Sequence, residues 1–164
     1  MSHQIQASDH NKKYPETHLV LMGNKDHDEE TLKIYNKLHK NILNYNLQSS
    51  VTLISSHDVI DILNILDVGV LLSLIEGTPN VVMEYMLYGL PVISSNHPGC
   101  VNLLKSSELL VSNKEDQIYK VMERVLRSKA LYQKESTSSL EQIKRFNIEN
   151  YVTDLETILG KSFK

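Results

Sequence analysis

The sequence predicts an α/β protein built on a parallel sheet with right-handed crossovers. Short apolar runs suited to buried strands alternate with longer stretches whose apolar residues recur at helical spacing. Turn and stop residues punctuate them, most clearly Gly23, Gly89 and Pro91. At 164 residues the chain suits one domain with a proper core, divided into a polar tail at 1–17 and a folded region at 18–164.

Met1 to Thr17 is polar, and Lys12-Lys13-Tyr14-Pro15 reads as a helix end stopped by proline. His3 and His10 lie in this tail without metal-ligand spacing and read as solvated side chains. His18 to Met22 is the first strand, closed by Gly23. The acidic run Asp26-His27-Asp28-Glu29-Glu30 reads as the complement to a helix dipole in preference to a cation site. The helix it opens, Glu30 to Tyr45, carries Leu32, Tyr35, Leu38, Ile42 and Tyr45 on one face with lysines opposite, so it is a packing helix. Val51 to Ile54 is the second strand. Ser55 and Asp58 then have capping-box spacing before a helix over Val59 to Leu66.

Val68 to Ser73 is the clearest strand, and it delivers the chain to the stretch Ile75 to Pro91. After that stretch come a strand at Val92 to Ser94 and a loop, Asn96-His97-Pro98-Gly99-Cys100, in which Pro98 and Gly99 account for a turn. His97 sits there at the carboxyl end of a strand, the side where open parallel sheets bind ligands, and is weighed as a site residue against a plain loop residue. Leu109 to Val111 is the last strand. Helices follow at Lys114 to Ser128, with the stripe Ile118, Val121, Met122 and Val125, then at Ala130 to Arg145 and Ile148 to Leu159.

The chemistry concentrates in Ile75 to Pro91. Thr78-Pro79-Asn80 opens a helix that Gly89 and Pro91 close, and its residues Val81, Val82, Met83, Tyr85, Met86, Leu87 and Tyr88 leave no polar face. The helix is therefore expected to be buried on most sides, with Glu84 as its one acid. An ionised carboxylate there costs several kcal/mol, roughly, without hydrogen-bond donors. The spacing refuses a capping box, because N3 is Val81 with Thr78 as N-cap and Met83 with Asn80 as N-cap. Glu84 needs another partner, either a structural cation or a ligand rich in hydroxyls. Glu76 precedes the helix, either as a surface acid favoured by the dipole, worth about 0.3–1 kcal/mol, or as a ligand group. Free amides at the helix start and the flexible backbone at Gly77 form a place for a phosphate. Two carboxylates around that place suit a nucleotide sugar.

The run Glu76-Gly77-Thr78-Pro79-Asn80-Val81-Val82-Met83-Glu84-Tyr85-Met86, then Gly89-Leu90-Pro91-Val92-Ile93, resembles the E-x7-E signature of the GT-B glycosyltransferases of family 4, written EGxPNVxLEAMAxGxPVV. In weaker form the resemblance extends from about Asn11 to the C-terminus. It implies a Rossmann-like, doubly wound sheet forming the C-terminal, donor-binding half of a retaining transferase. On that resemblance Glu84 holds the ribose hydroxyls and Glu76, the catalytic-site carboxylate, holds a hydroxyl of the transferred sugar. The backbone of Gly77, Thr78, Pro79, Asn80 and Val81 receives the sugar and the diphosphate, and His57 lies near the base. The donor is a UDP-, GDP- or ADP-sugar, with no bound metal and no further cofactor; the leaving phosphate accepts the acceptor's proton. Pro98-Gly99-Cys100-Val101-Asn102-Leu103 lacks the acidic residue that the family often has after its Gly-Gly pair.

Five strands are expected where the family's half-domain has six. The absent one is the first, central in the order 3-2-1-4-5-6, and it usually brings an Arg and a Lys to the diphosphate. The chain is therefore expected to need a missing N-terminal acceptor-binding half, a partner chain or a homo-oligomer, with the acceptor being a glycan, a lipid or a small molecule. Three arrangements relieve the gap: direct pairing of the strands at His18 and Val68, the tail in the gap, or a strand from another chain. A nucleotide-sugar-binding module without turnover, a structural Rossmann-like domain and an epimerase remain as alternatives. A net charge of -3 excludes a basic nucleic-acid surface. Val59 to Ile75 is the most apolar region but carries Asp61, Asn64 and Asp67, which excludes a membrane helix of about 20 apolar residues. The single cysteine, Cys100, forms no internal disulfide and fits a reducing cytoplasm.

Overall fold

The computed structural model describes residues 14–23, 28–55, 59–74, 77–105 and 107–147. The chain divides into two compact units, Met1–Val59 and Ile60–Lys164.

In the first unit, strands β1 (Leu19–Met22) and β2 (Val51–Ile54) pair in parallel from Leu19↔Val51 to Met22↔Ile54, connected by helix α1 (Glu29–Asn44). Asp28 caps α1: its Oδ1 accepts from the Thr31 amide at 2.7 Å. That backbone bond, with the Thr31 side chain, holds the Asp28 carboxyl below its ordinary pKa. The acidic run thus starts a helix, as its position before an apolar stripe suggests. At the other end Leu47 N–H donates to Ile42 C=O and Asn46 N–H to Leu43 C=O, a Schellman closure with Asn46 at φ 54°. The stripe expected to pack is only part-covered. No residue of α1 is buried, and Leu32 remains 44% exposed.

The second unit runs α2 (Val59–Leu63, its first residue still in the first unit), β3 (Gly69–Leu71), α3 (Asn80–Leu87), β4 (Val92–Ser95), α4 (Pro98–Leu104), β5 (Leu110–Val111), α5 (Glu115–Arg127) and α6 (Lys129–Ile143), with a 3-10 turn at Lys144–Phe146. Its sheet is parallel, in the order β3-β4-β5, and β4 is buried along its whole length. Strand residues alternate between faces. Val92 packs with Val82 and Met86 of α3 and with Cys100, Leu103 and Leu104 of α4. Ile93 packs with Leu109, Val111 and the α5 residues Val121 and Val125. The sheet is thus covered by helices on both faces, as near-continuous apolar strands demand.

Helix α3 ends in a second Schellman closure. Leu90 N–H donates to Tyr85 C=O and Gly89 N–H to Met86 C=O, each at 3.0 Å, with Gly89 at φ +64°. Helix α6 locks this corner: the buried Ser139 Oγ donates to Leu90 C=O at 2.8 Å. At the end of α4, Arg145 donates to the carbonyls of Asn102 and Leu103, supplying charge and hydrogen bonds to groups the helix leaves open.

All five expected strands exist, four of them with slightly different ends. Two expectations are corrected. The helix expected over Val59 to Leu66 stops at Leu63. The loop Asn96 to Cys100 is the start of α4, because Pro98 at the first helical position has a φ already suited to a helix and Cys100, Leu103 and Leu104 bury one face. The described strands form two hydrogen-bonded sheets, β1-β2 in the first unit and β3-β4-β5 in the second. The expected helix over Ile148 to Leu159, the tail before Tyr14 and the capping residue Asp58 lie outside the described residues.

Gly69 on β3 touches the base of the Tyr85 side chain on α3: a Cβ there would lie 2.3 Å from Tyr85 Cγ, an atom that cannot swing away. Gly69→Ala is expected to destabilise the fold by about 1–3 kcal/mol through overpacking, read as a lower urea midpoint at unchanged slope. An unchanged midpoint would mean that α3 is free to shift on the sheet.

Candidate functional site

The site assembles where β3 hands the chain to α3, at the carboxyl end of the parallel strands. Leu71 ends β3 and Pro79 is the N-cap of α3, with φ -76° and ψ 108° and no side-chain capping bond. Neither Thr78 nor Asn80 is the cap. The Pro79 carbonyl accepts from the amides of Val82 (3.1 Å) and Met83 (3.4 Å). The amides of Asn80 and Val81 bond to no described residue, as the first turn of a helix requires when no side chain caps it. Pro79 is buried, whereas Gly77, Thr78 and Asn80 are exposed. Donors and partial positive charge therefore face outward here, an arrangement that receives anions.

Glu84 lies four residues after Asn80, one turn along the same helix face. Its side chain is half-buried, and among the described residues nothing forms a hydrogen bond or ion pair with its carboxylate. The expectation of a helix buried on most sides is corrected: only Val82 and Met86 of α3 are buried, and Leu87 is 62% exposed. The structural-cation reading of Glu84 finds no described lysine or arginine to carry it. Its carboxylate acts on neighbouring Tyr85, whose phenol is pushed above its ordinary pKa by burial first and by Glu84 second, with the Val70 backbone acting the other way. Glu76 and His57 lie outside the described residues.

The strand ends beside this helix carry a closed set of hydrogen bonds. Ser73 N–H donates to Ser95 Oγ (2.9 Å), Ser95 Oγ donates to Asn113 Oδ1 (2.6 Å), and Asn113 Nδ2 donates to Ser73 C=O (3.0 Å). The residues come from beyond β3, from the end of β4 and from beyond β5. One residue earlier on β4, Ser94 Oγ lies 2.8 Å from Cys100 Sγ and 3.2 Å from the Leu71 carbonyl, and His97 Nε2 is 3.4 Å from the same sulfur. His97 is the N-cap of α4 but makes no side-chain cap bond, and its buried Nδ1 has no hydrogen-bond partner among the described residues. Cys100 is fully buried, so its thiol is a packing group of the core.

Sequence reasoning found the α3 start and Glu84 but missed the Ser73–Ser95–Asn113 set, since polar residues 22 and 18 apart carry no periodic signal. It also missed α4, for which the signal existed: Pro98 followed by apolar Cys100, Val101, Leu103 and Leu104 at helical spacing. A groove of about 600 Å³ lies elsewhere, between α5 and α6. Its cations are already paired, Arg124 and Lys134 with Glu108 and Arg127 with Glu123, so it is no ready anion site. Among the described residues, no three His, Cys, Asp or Glu side chains group as metal ligands, and no helix is long and apolar enough to cross a membrane.

Parallel strands wrapped by helices, with an uncapped helix start at their carboxyl ends, define a Rossmann-like α/β protein. The sequence model of the family described as "Glycosyl transferases group 1" matches residues 1–142, and the chain belongs to that family. Over 153 residues it is 29% identical to an "Uncharacterized glycosyltransferase" of Haemophilus influenzae, covering 90% of this chain and 41% of that relative. Its fold is similar to that of a sucrose-phosphate synthase from Thermosynechococcus elongatus, with TM-score 0.79 and 22% identity over 98% of this chain and 41% of that one. It is equally similar to Anabaena Alr3699/HepE, solved in complex with UDP, with TM-score 0.79 and 17% identity over 90% and 42%. The α/β, Rossmann-like architecture is thus the GT-B one, and the chain spans about two-fifths of these proteins' length.

With no described partner to lose, Glu84→Gln is expected to leave stability within about 0.5 kcal/mol of the wild type. Urea denaturation checks this, and a loss of 2 kcal/mol or more, roughly, would mean that the carboxylate holds the fold.

Proposed function

We propose that this chain is the donor-binding, C-terminal half of a family 4 GT-B glycosyltransferase, which holds a nucleotide-diphosphate sugar for transfer with retained anomeric configuration. The observation that carries this reading is Glu84: a carboxylate without a described partner, one turn from unbonded amides, in the sequence context Glu76-Gly77-Thr78-Pro79-Asn80-Val81. In this reading the amides at the start of α3, with the Gly77 to Val81 backbone, receive the diphosphate and sugar. Glu84 accepts hydrogen bonds from the ribose hydroxyls. Glu76 accepts one from a hydroxyl of the transferred sugar, and His57 lies near the base on the family resemblance alone.

The chemistry is an exchange at the anomeric carbon. Its bond to the diphosphate oxygen breaks, a bond to the acceptor oxygen forms on the same face, and the acceptor's proton passes to the leaving phosphate. The chain's own part is to bind and orient the donor. The UDP complex of a similarly folded protein supports a nucleotide donor, and UDP-, GDP- and ADP-sugars all fit the reading. Because the relatives are longer, transfer is assigned to this domain together with an acceptor-binding half, in the cytoplasm.

A thermal-shift screen of UDP-, GDP- and ADP-sugars tests the reading, since ligand at about 100 times its Kd raises stability by about 2.7 kcal/mol. With the best ligand, Glu84→Gln is expected to lose about 1.5–3 kcal/mol of binding in calorimetry. Unchanged affinity removes the ribose assignment. Glu76→Ala is expected to weaken the nucleotide sugar more than the free nucleotide diphosphate, and equal losses overturn the division of labour between the carboxylates. Saturable binding with no transfer, even when an acceptor half is added, would make the chain a binding module.

A further inference from the structure

The buried strand β4 leads into a residue that the fold holds firmly and whose side chain it leaves unused. Asn96 comes directly after β4, and its backbone continues the ladder to β5: Ser94 N–H donates to Leu109 C=O (3.2 Å) and Asn96 N–H to Val111 C=O (2.7 Å). His97 N–H then donates to Ser95 C=O at 3.0 Å, closing a three-residue turn with Asn96 at its centre. Asparagine in a turn commonly bonds its own backbone through its side chain. Here the backbone alone closes the turn, and among the described residues nothing bonds the exposed side-chain amide of Asn96. Its NH2 group and its carbonyl oxygen are both open, on a stem that the ladder and the turn fix in place.

The pleat sets the direction of that side chain. Val92 packs on α3 and α4 and Ser94 bonds Cys100 of α4, while Ile93 packs on α5 and Ser95 bonds Asn113. Side chains alternate along a strand, so Asn96 stands on the α3–α4 face. On the same face, at the carboxyl ends of the strands, α3 begins with the amides of Asn80 and Val81 bonded to no described residue. The strand that precedes α3, β3, is the ladder neighbour of β4, about 4.8 Å away.

We propose that Asn96 is a further residue of the donor site, whose side-chain amide bonds a hydroxyl of the bound sugar. The proposal rests on the reading of α3 given above. A sugar hydroxyl both donates and accepts, as the amide does, whereas a phosphate accepts only and is received by the first amides of α3. The turn fixes the stem before a ligand arrives, so little freedom is lost when the bond forms.

The test uses the full chain and Asn96→Ala. Calorimetry compares UDP with UDP-glucose, GDP with GDP-mannose, or ADP with ADP-glucose, whichever pair the wild type binds. The sugar nucleotide is expected to weaken about tenfold while the free diphosphate stays within about twofold. The urea midpoint is expected to match that of the wild type, because the side chain holds nothing in the fold. Unchanged affinity for the sugar nucleotide, equal loss of both ligands, or a lowered midpoint each overturns the proposal and leaves the reading of α3 standing. If the wild type binds neither member of any pair, the reading of α3 falls and the role of Asn96 falls with it.

Discussion

The rotation of α3 about its own axis governs which polar groups face the candidate site. Val82 and Met86 are both fully buried, and a step of about 100° per residue then places Glu84 on the side away from the core. The same rotation puts Asn80 on the Glu84 face and leaves the start of the helix open. Two contacts hold that rotation. The Tyr85 ring lies against Gly69, where no side chain intervenes, and the Schellman closure at Gly89 turns the chain straight into β4 beneath Ser139. A helix turned by about half a turn would bury the carboxylate and expose Met86, which loses on both counts.

The parallel sheet does the rest by bringing strand ends together. Each parallel strand ends on the same side, so groups far apart in sequence become neighbours there. Ser95 is the last residue of β4, and Asn113 stands two residues past Val111. The apolar requirement stops at the sheet's edge, and polar side chains take over the backbone groups that the short strands leave behind. The groove between α5 and α6 has volume but a neutralised lining, whereas among the described residues nothing bonds the first amides of α3 or the Glu84 carboxylate. Chemistry, not size, distinguishes the site.

Much of this was legible from the residues. Apolar runs located all five strands, because a strand covered on both faces needs a nearly continuous apolar run. Gly89 and Pro91 placed the end of α3 correctly, and the capping argument correctly freed Glu84 from a box, though the cap itself is Pro79. Overestimating the burial of α3 had a specific cause: apolar residues on all sides do not reveal which sides neighbours reach. The part-covered stripe of α1 teaches the same lesson, since Leu32 has the right spacing and still lies 44% exposed.

By itself the sequence determined the class of fold and the order of its elements, and it singled out the candidate stretch at Ile75 to Pro91. These follow from local patterns: apolar period, glycine and proline punctuation, and one acid in an uncharged helix. Only the tertiary structure decided which strands share a ladder, that Asn96 to Cys100 begins a helix, and that Ser73, Ser95 and Asn113 close on one another. The reason is physical. A hydrogen bond between residues far apart depends on where two strand ends stop in space, and that position is set by the packing of Val92 and Ile93 against opposite faces, not by any spacing along the chain.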